Sequence, residues 1–183
     1  MPDYIETFNK LLSFGTIILQ LVVLLIAVNL IFLKSHKNKI LVFFKDYGFY
    51  FGFATALAGV ALSLFYSEII GFPPCELCWI QRIFIYPQVI LFGMELYKRD
   101  RAIVDYSMVM ATFGMIVSLF HMYVERGGAS SLSCAAGGKA AVSCAFLYVE
   151  EFSYVTIPVM ALTASVFIFI LLLSYKYMTR NKI

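Results

Sequence analysis

The sequence predicts an all-α membrane protein, and three observations carry that expectation. Of its 183 residues 62% are hydrophobic and 14% charged, against about 45–50% apolar and about 25% charged in an average soluble domain. Mean hydropathy is +0.87, more apolar surface than a water-soluble fold of this size can hide. Third, the runs 11–33, 47–69, 79–97, 103–124 and 154–175 are each apolar and close to the roughly 20 residues a helix needs to cross the bilayer. The net charge of +3 is small and its basic residues adjoin apolar runs, which points to membrane orientation and away from nucleic acid. No glycine-rich phosphate loop, HExxH or long polar linker is present.

The first run follows the acidic "MPDYIETFNK". It exceeds a signal peptide's apolar core of roughly 7–15 residues, and no A-x-A site follows, so a retained span is expected. Lysine and arginine set the orientation. The connection "KSHKNKILVFFKD" holds Lys34, Lys37, Lys39 and Lys45; "KRDR" holds Lys98, Arg99 and Arg101; the tail holds Lys176, Arg180 and Lys182. "SEIIGFPPCELC" has no basic residue, and the loop 125–153 has only Arg126 and Lys139. The 34–46 and 98–102 loops and the C-terminus are therefore expected in the cytoplasm, with the N-terminus outside. All five spans alternate on that assignment. It places Cys75 and Cys78, at the head of the third span, on the same oxidising face as Cys134 and Cys144, in the loop before the fifth. The chain has no other cysteine.

A C-x-x-C pair often has a lowered thiol pKa and suits exchange chemistry, although a local disulfide or half of a metal site would use the same residues. The second spacing is C-x9-C, where a four-cysteine zinc site more typically pairs two C-x2-C units; on an oxidising face zinc is disfavoured. Cys134 and Cys144 bracket Gly137, Gly138 and a run of alanine and serine. A bridge there could simply staple the loop, worth about 2–3 kcal/mol, or trade its disulfide with the first pair by thiolate attack.

Arg82 lies one helical turn below Cys78 on the same face. A cation at membrane depth is costly and usually functional, though an arginine near the interface can snorkel. Placed under Cys78, it can stabilise a thiolate or negative charge on an acceptor beside it. Gln81 adds an amide nearby, Tyr86 continues the Cys78–Arg82 stripe, and Pro87 is expected to kink the helix near Ile83. Trp79 needs no role beyond an interfacial one. In "SLFHMYVERGG", His121 and Glu125 are one turn apart at a depth like that of Arg82, so His121 is either an ordinary interface residue or part of the same cavity. Asp105, at the opposite end of its span, is a boundary charge. A dithiol relay needs a source and a sink of electrons. The outer loop is open to a soluble partner; the C-x-x-C abuts the hydrocarbon, where a lipid-soluble two-electron acceptor, a quinone, can reach it while Arg82 offsets developing charge.

"PCELCWIQRIFIYP", with "HMYVE" downstream and a later outer-loop cysteine pair, resembles the DsbB/BdbC family of disulfide-generating membrane proteins, closest to its BdbC-type branch. The resemblance covers about residues 45–177, and the C-E-L-C-W-x-Q-R run is highly specific. It implies a DsbB-like four-helix transmembrane bundle (47–177), preceded by an extra N-terminal transmembrane helix and basic loop (1–46) and followed by a tail (178–183). It further implies a quinone-dependent oxidoreductase of a bacterial or archaeal cytoplasmic membrane that reoxidises a DsbA/BdbD-like thioredoxin-fold partner, with ubiquinone or menaquinone as acceptor. By motif, Cys75 and Cys78 match the membrane-proximal pair, with Cys78 beside the quinone ring and Arg82 in its site. Cys134 matches the cysteine that the partner's thiolate attacks, Cys144 the companion that exchanges with Cys75, and His121 a histidine near the quinone. Two features depart from the pattern: the C-x9-C is too short for the amphipathic segment of longer relatives, so that "CAFLYVEEFSYV" could lie along the interface instead, and the first span is additional.

Three other classes are weaker. A vitamin K epoxide reductase-like enzyme carries its loop cysteines ahead of the C-x-x-C, the reverse of the order here. A structural subunit with disulfide-stapled loops has no use for Arg82 under the pair. A small transporter more usually shows ionisable pairs near mid-bilayer.

Overall fold

In hydrocarbon every backbone N–H and C=O must be paired within the chain, so an apolar run long enough to cross becomes a helix. The computed structural model describes residues 3–33, 39–100, 102–128 and 143–180. It contains α1 (Asp3–Val28), α2 (Lys39–Leu64), α3 (Glu76–Lys98), α4 (Ala102–Glu125) and α5 (Ile157–Arg180). All five are long and apolar enough to span a membrane. The protein is an all-α membrane protein.

Helix bounds differ from expectation where polar ends still favour helix. α1 starts at Asp3, ahead of the apolar run, and its first turns carry a Glu6–Lys10 pair at 2.6 Å in the favourable i,i+4 order. α2 starts at Lys39, inside the segment expected to be a cytoplasmic loop. The reason is "ILVFF": Leu41 and Phe44 are buried with Ile26, Phe167, Leu171 and Met178. Lys34, Lys37, Arg101 and Lys182 lie outside the described residues. Single π-helical turns, Asn29–Leu33 and Phe65–Ile69, end α1 and α2. α5 begins at Ile157, after an antiparallel hairpin of β1 (Glu150–Glu151) and β2 (Val155–Thr156), and α3 runs unbroken through Pro87.

α5 packs against α1, α2 and α4, while α3 packs against α2 and α4. Without water to drive burial, such contacts depend on close packing and small residues. A Cβ at Gly52 would come 2.5 Å from the Phe92 ring, and one at Gly114 would come 2.9 Å from Ser165 Oγ, so these glycines set the α2–α3 and α4–α5 spacing. Below the cysteines an apolar cluster is built around Phe92, Ile168 and Leu172, with Gln88 and Ser107 buried beside it. At the other end a small cluster joins Cys75, Leu77, Val124 and Cys144.

Candidate functional site: a dithiol at the head of a cavity

The approach to α3 is shaped by three residues. Gly71, at φ +81°, takes a left-handed conformation that a side chain disfavours, and Pro73 and Pro74 extend the backbone into Cys75. Cys75 is the N-cap of α3, with φ −73° and ψ 172°, and makes no capping hydrogen bond. Its sulfur turns instead to its neighbours. The Sγ atoms of Cys75 and Cys78 lie 3.2 Å apart, and His121 Nε2, from α4, lies 3.7 Å from Cys75 Sγ. Both thiols are free. A hydrogen bond from Cys78 holds the Cys75 thiol well below its ordinary pKa, burial opposes the shift, and His121 lowers it further. The start of α3 favours the same thiolate through the helix dipole.

His121 is buried, and its Nδ1 has no hydrogen-bond partner among the described residues. The two sulfurs and an imidazole nitrogen fall within 4.8 Å of one another, close enough for three ligands of one soft ion.

Beside the pair is a cavity of about 370 Å³, lined among others by Cys78, Gln81, Arg82, Ser63 and Tyr148. That volume lies within the range of about 300–1,000 Å³ for small-molecule sites. Arg82 is only 7% exposed. Its Nε donates to Ser63 Oγ at 2.8 Å and an Nη2 proton goes to Ser63 O at 3.1 Å. Its Cζ lies 4.7 Å from the Trp79 ring centroid, so Trp79 does more than mark the interface: it helps hold the cation. Gln81 Nε2 donates to Ser118 Oγ at 3.2 Å. The mostly apolar cavity thus carries a fixed buried cation, an amide and a thiol in its wall, the make-up of a small-molecule site.

The expected residues divide by position. Cys78, Gln81 and Arg82 share the cavity wall, whereas His121 stands against Cys75 and is not on that wall. Cys144 is buried beside Cys75 and is disulfide-bonded. Cys134, with Gly137, Gly138 and Lys139, lies outside the described residues. Glu125 accepts a hydrogen bond from Thr156 Oγ1 at 2.7 Å, bracing α4 against β2, and Asp105 pairs with Lys176 at 2.6 Å. After Cys144 the chain crosses the proline loop. Tyr148 stacks on Phe72 with centroids 4.6 Å apart, and its hydroxyl donates to Pro73 O at 3.4 Å. Burial, then negative charge at the two thiols, raises its phenol pKa.

Sequence reasoning missed Ser63, Tyr66, Tyr148 and every residue of α1. A signal existed in α1, where Asn9, Ser13, Thr16 and Gln20 form a polar stripe at helical spacing in an otherwise apolar span.

Membrane-length helices around a free dithiol, buried at Cys75 and half-buried at Cys78, define a polytopic membrane protein of thiol chemistry. The family described as "Disulfide bond formation protein DsbB" matches residues 45–175, and the chain belongs to that family. It is 38% identical over 118 residues to "Probable disulfide formation protein C 1" of Bacillus anthracis, covering 64% of this chain and 84% of the relative. It is 44% identical over 100 residues to "Probable disulfide formation protein C" of Bacillus cereus, covering 55% and 70%. The identity to "Disulfide bond formation protein C" of Bacillus subtilis is 37% over 124 residues, covering 66% and 86%. No solved structure matches the chain significantly. Membership makes the protein a membrane oxidoreductase of disulfide formation.

Proposed function

We propose that this protein takes electron pairs from a DsbA-like, thioredoxin-fold partner outside the cytoplasm and passes them to a membrane quinone. The observation that carries this is the shared cavity wall of Cys78 and the buried Arg82. The lysine and arginine distribution supports an extracytoplasmic position for the cysteine end. A partner thiolate attacks Cys134 of a Cys134–Cys144 disulfide and releases the Cys144 thiolate; the partner's second thiolate then closes the partner's own disulfide and frees Cys134. Cys144 attacks Cys75 of a Cys75–Cys78 disulfide and releases Cys78, and Cys134 closes back on Cys144, freeing Cys75. The sum is two electrons and two protons moved from the partner to the C-x-x-C. A quinone held in the cavity would supply the sink for both electrons and both protons, and the Cys75–Cys78 disulfide would re-form. Cys78 faces the cavity as the delivering thiol, Arg82 stabilises negative charge there, Gln81 offers an amide proton, and His121 Nε2 exchanges a proton with Cys75. The burial of Cys144 against Cys75 supports the internal exchange.

The test is quinone reduction by the purified full-length protein in detergent with a reduced DsbA-like partner, using ubiquinone- and menaquinone-type acceptors. Loss of quinone absorbance that vanishes in Cys78→Ser is expected. Arg82→Ala is expected to raise the apparent quinone KM by about 10- to 100-fold, the worth of one hydrogen bond to a charged group. A folded sample inactive with both acceptor types, or full turnover in Cys78→Ser, overturns the proposal.

A further inference from the structure

We infer that α1, which lies ahead of the family segment, is a wall of the acceptor cavity and selects acceptors by their alkyl side chain; the inference rests on the quinone reading above. The family match begins at residue 45, so the matched segment leaves α1 unexplained. A helix that served only as an anchor would need no fixed rotation against the bundle. α1 is fixed at two levels. Near its start, the buried Tyr66 hydroxyl donates to Asn9 Oδ1 at 2.6 Å, and the Phe8 and Phe65 rings lie 4.8 Å apart. Three turns on, Gln20 Nε2 donates to Thr163 Oγ1 at 3.1 Å and Gln20 Oε1 accepts from Tyr154 at 3.0 Å. Interhelical hydrogen bonds of this kind fix which face of a membrane helix meets its neighbours.

The face so presented, between the two fastenings, is Leu11, Leu12, Gly15, Thr16 and Leu19, and all five line the cavity that holds Cys78 and Arg82. Their spacing follows one stripe of a helix. The Thr16 hydroxyl donates to Leu12 O at 2.9 Å within α1, so this wall offers an incoming molecule apolar surface and no free hydrogen-bond donor. Polar recognition of the ring belongs to Gln81 and Arg82; the α1 wall fits the hydrocarbon substituent that makes a quinone lipid-soluble. Gly15 is the opening in the wall, since a Cβ added there meets no atom within 4 Å. A larger side chain at Gly15 can therefore occupy acceptor space without displacing the protein, and replacing a helical glycine does not weaken the helix.

The test uses the full chain and quinones that share one ring but carry no tail, a short alkyl tail or a long isoprenoid tail. Gly15→Leu and Gly15→Phe are expected to raise the ratio of KM for the tailed to the tailless quinone by roughly tenfold or more, as changes of apolar fit do. Leu19→Ala, which removes tail contact without blocking the space, is expected to raise that ratio more modestly. Leu21→Phe, on an exposed part of α1, serves as the control. A quinone analogue with a photoreactive group on its tail gives a readout independent of turnover: mass spectrometry should find its label on a peptide containing residues 11–19. A ratio unchanged in all three cavity variants, or a label confined to α2–α5, overturns the role of α1 while leaving quinone reduction standing. Wild-type protein that neither reduces nor is labelled by any quinone overturns the cavity assignment itself, and this inference with it.

Discussion

The two halves of the bundle differ in how they fill their interior. The cysteine end buries Cys75, Arg82 and His121 beside a cavity, and His121 Nδ1 has no hydrogen-bond partner among the described residues. The other half packs Ile26, Leu41, Phe92, Ile168, Leu171 and Leu172, none more than 2% exposed, around a few buried polar side chains such as Gln88 and Ser107. Voids cost stability, so the close-packed half offsets what the cavity-bearing half gives up. The contrast teaches that chemistry and stability here are separable along the helix axis, and substitutions should sort accordingly.

The largest effect belongs to the reactive half. Cys144→Ser is expected to abolish turnover driven by the thioredoxin-fold partner, while a small dithiol still reduces Cys75 and Cys78 directly and supports quinone reduction. Thermal stability read in the same samples should change far less than turnover, and partner-driven activity that persists would break the division. Next, in the packed half, Phe92→Ala should destabilise by about 3–5 kcal/mol, because that ring fills the space over Gly52. Denaturant unfolding in detergent measures the loss. The apparent quinone KM of the folded fraction should stay at the wild-type value, and a large rise in it would show that the halves are coupled.

Acidity sharpens the comparison further. Cys75 is depressed below its ordinary range by Cys78 first and then by His121. A depressed thiol contributes stability to the reduced protein that is fully present above the unfolded thiol pKa and fades as pH falls through the depressed value. His121→Ala removes one lowering cause, so the midpoint for alkylation of Cys75 in the reduced protein should move to higher pH. A midpoint that stays in place would assign the whole shift to Cys78 and the helix terminus. The smallest effect is expected at the Lys176–Asp105 pair, whose side chains are 53% and 61% exposed. Lys176→Ala should cost no more than about 1 kcal/mol, measured by the same unfolding.

Much of the site was legible in one dimension. Cys75, Cys78 and Arg82 sit within two helical turns, so helical periodicity alone related them, and apolar run length located every span to within a few residues at most ends. The larger misses were α1 and α2, which begin earlier than their apolar runs because amphipathic and charged turns extend a helix beyond hydrocarbon. His121 was placed at the right level but not on a particular wall, since a linear depth count says nothing about rotation about a helix axis.

The chain's own order of residues was enough to determine a five-span membrane protein with a dithiol over a buried cation, because hydropathy and helical spacing are local properties. Three-dimensional packing alone decided that Ser63 holds Arg82, that His121 serves Cys75, that Tyr148 folds back over the proline loop, and that α1 closes the cavity. Those contacts join residues 19 to 75 positions apart or, for α1 and α5, 143. Each depends on which faces of neighbouring helices meet, a choice made by close-packed small residues and interhelical hydrogen bonds that no local pattern encodes.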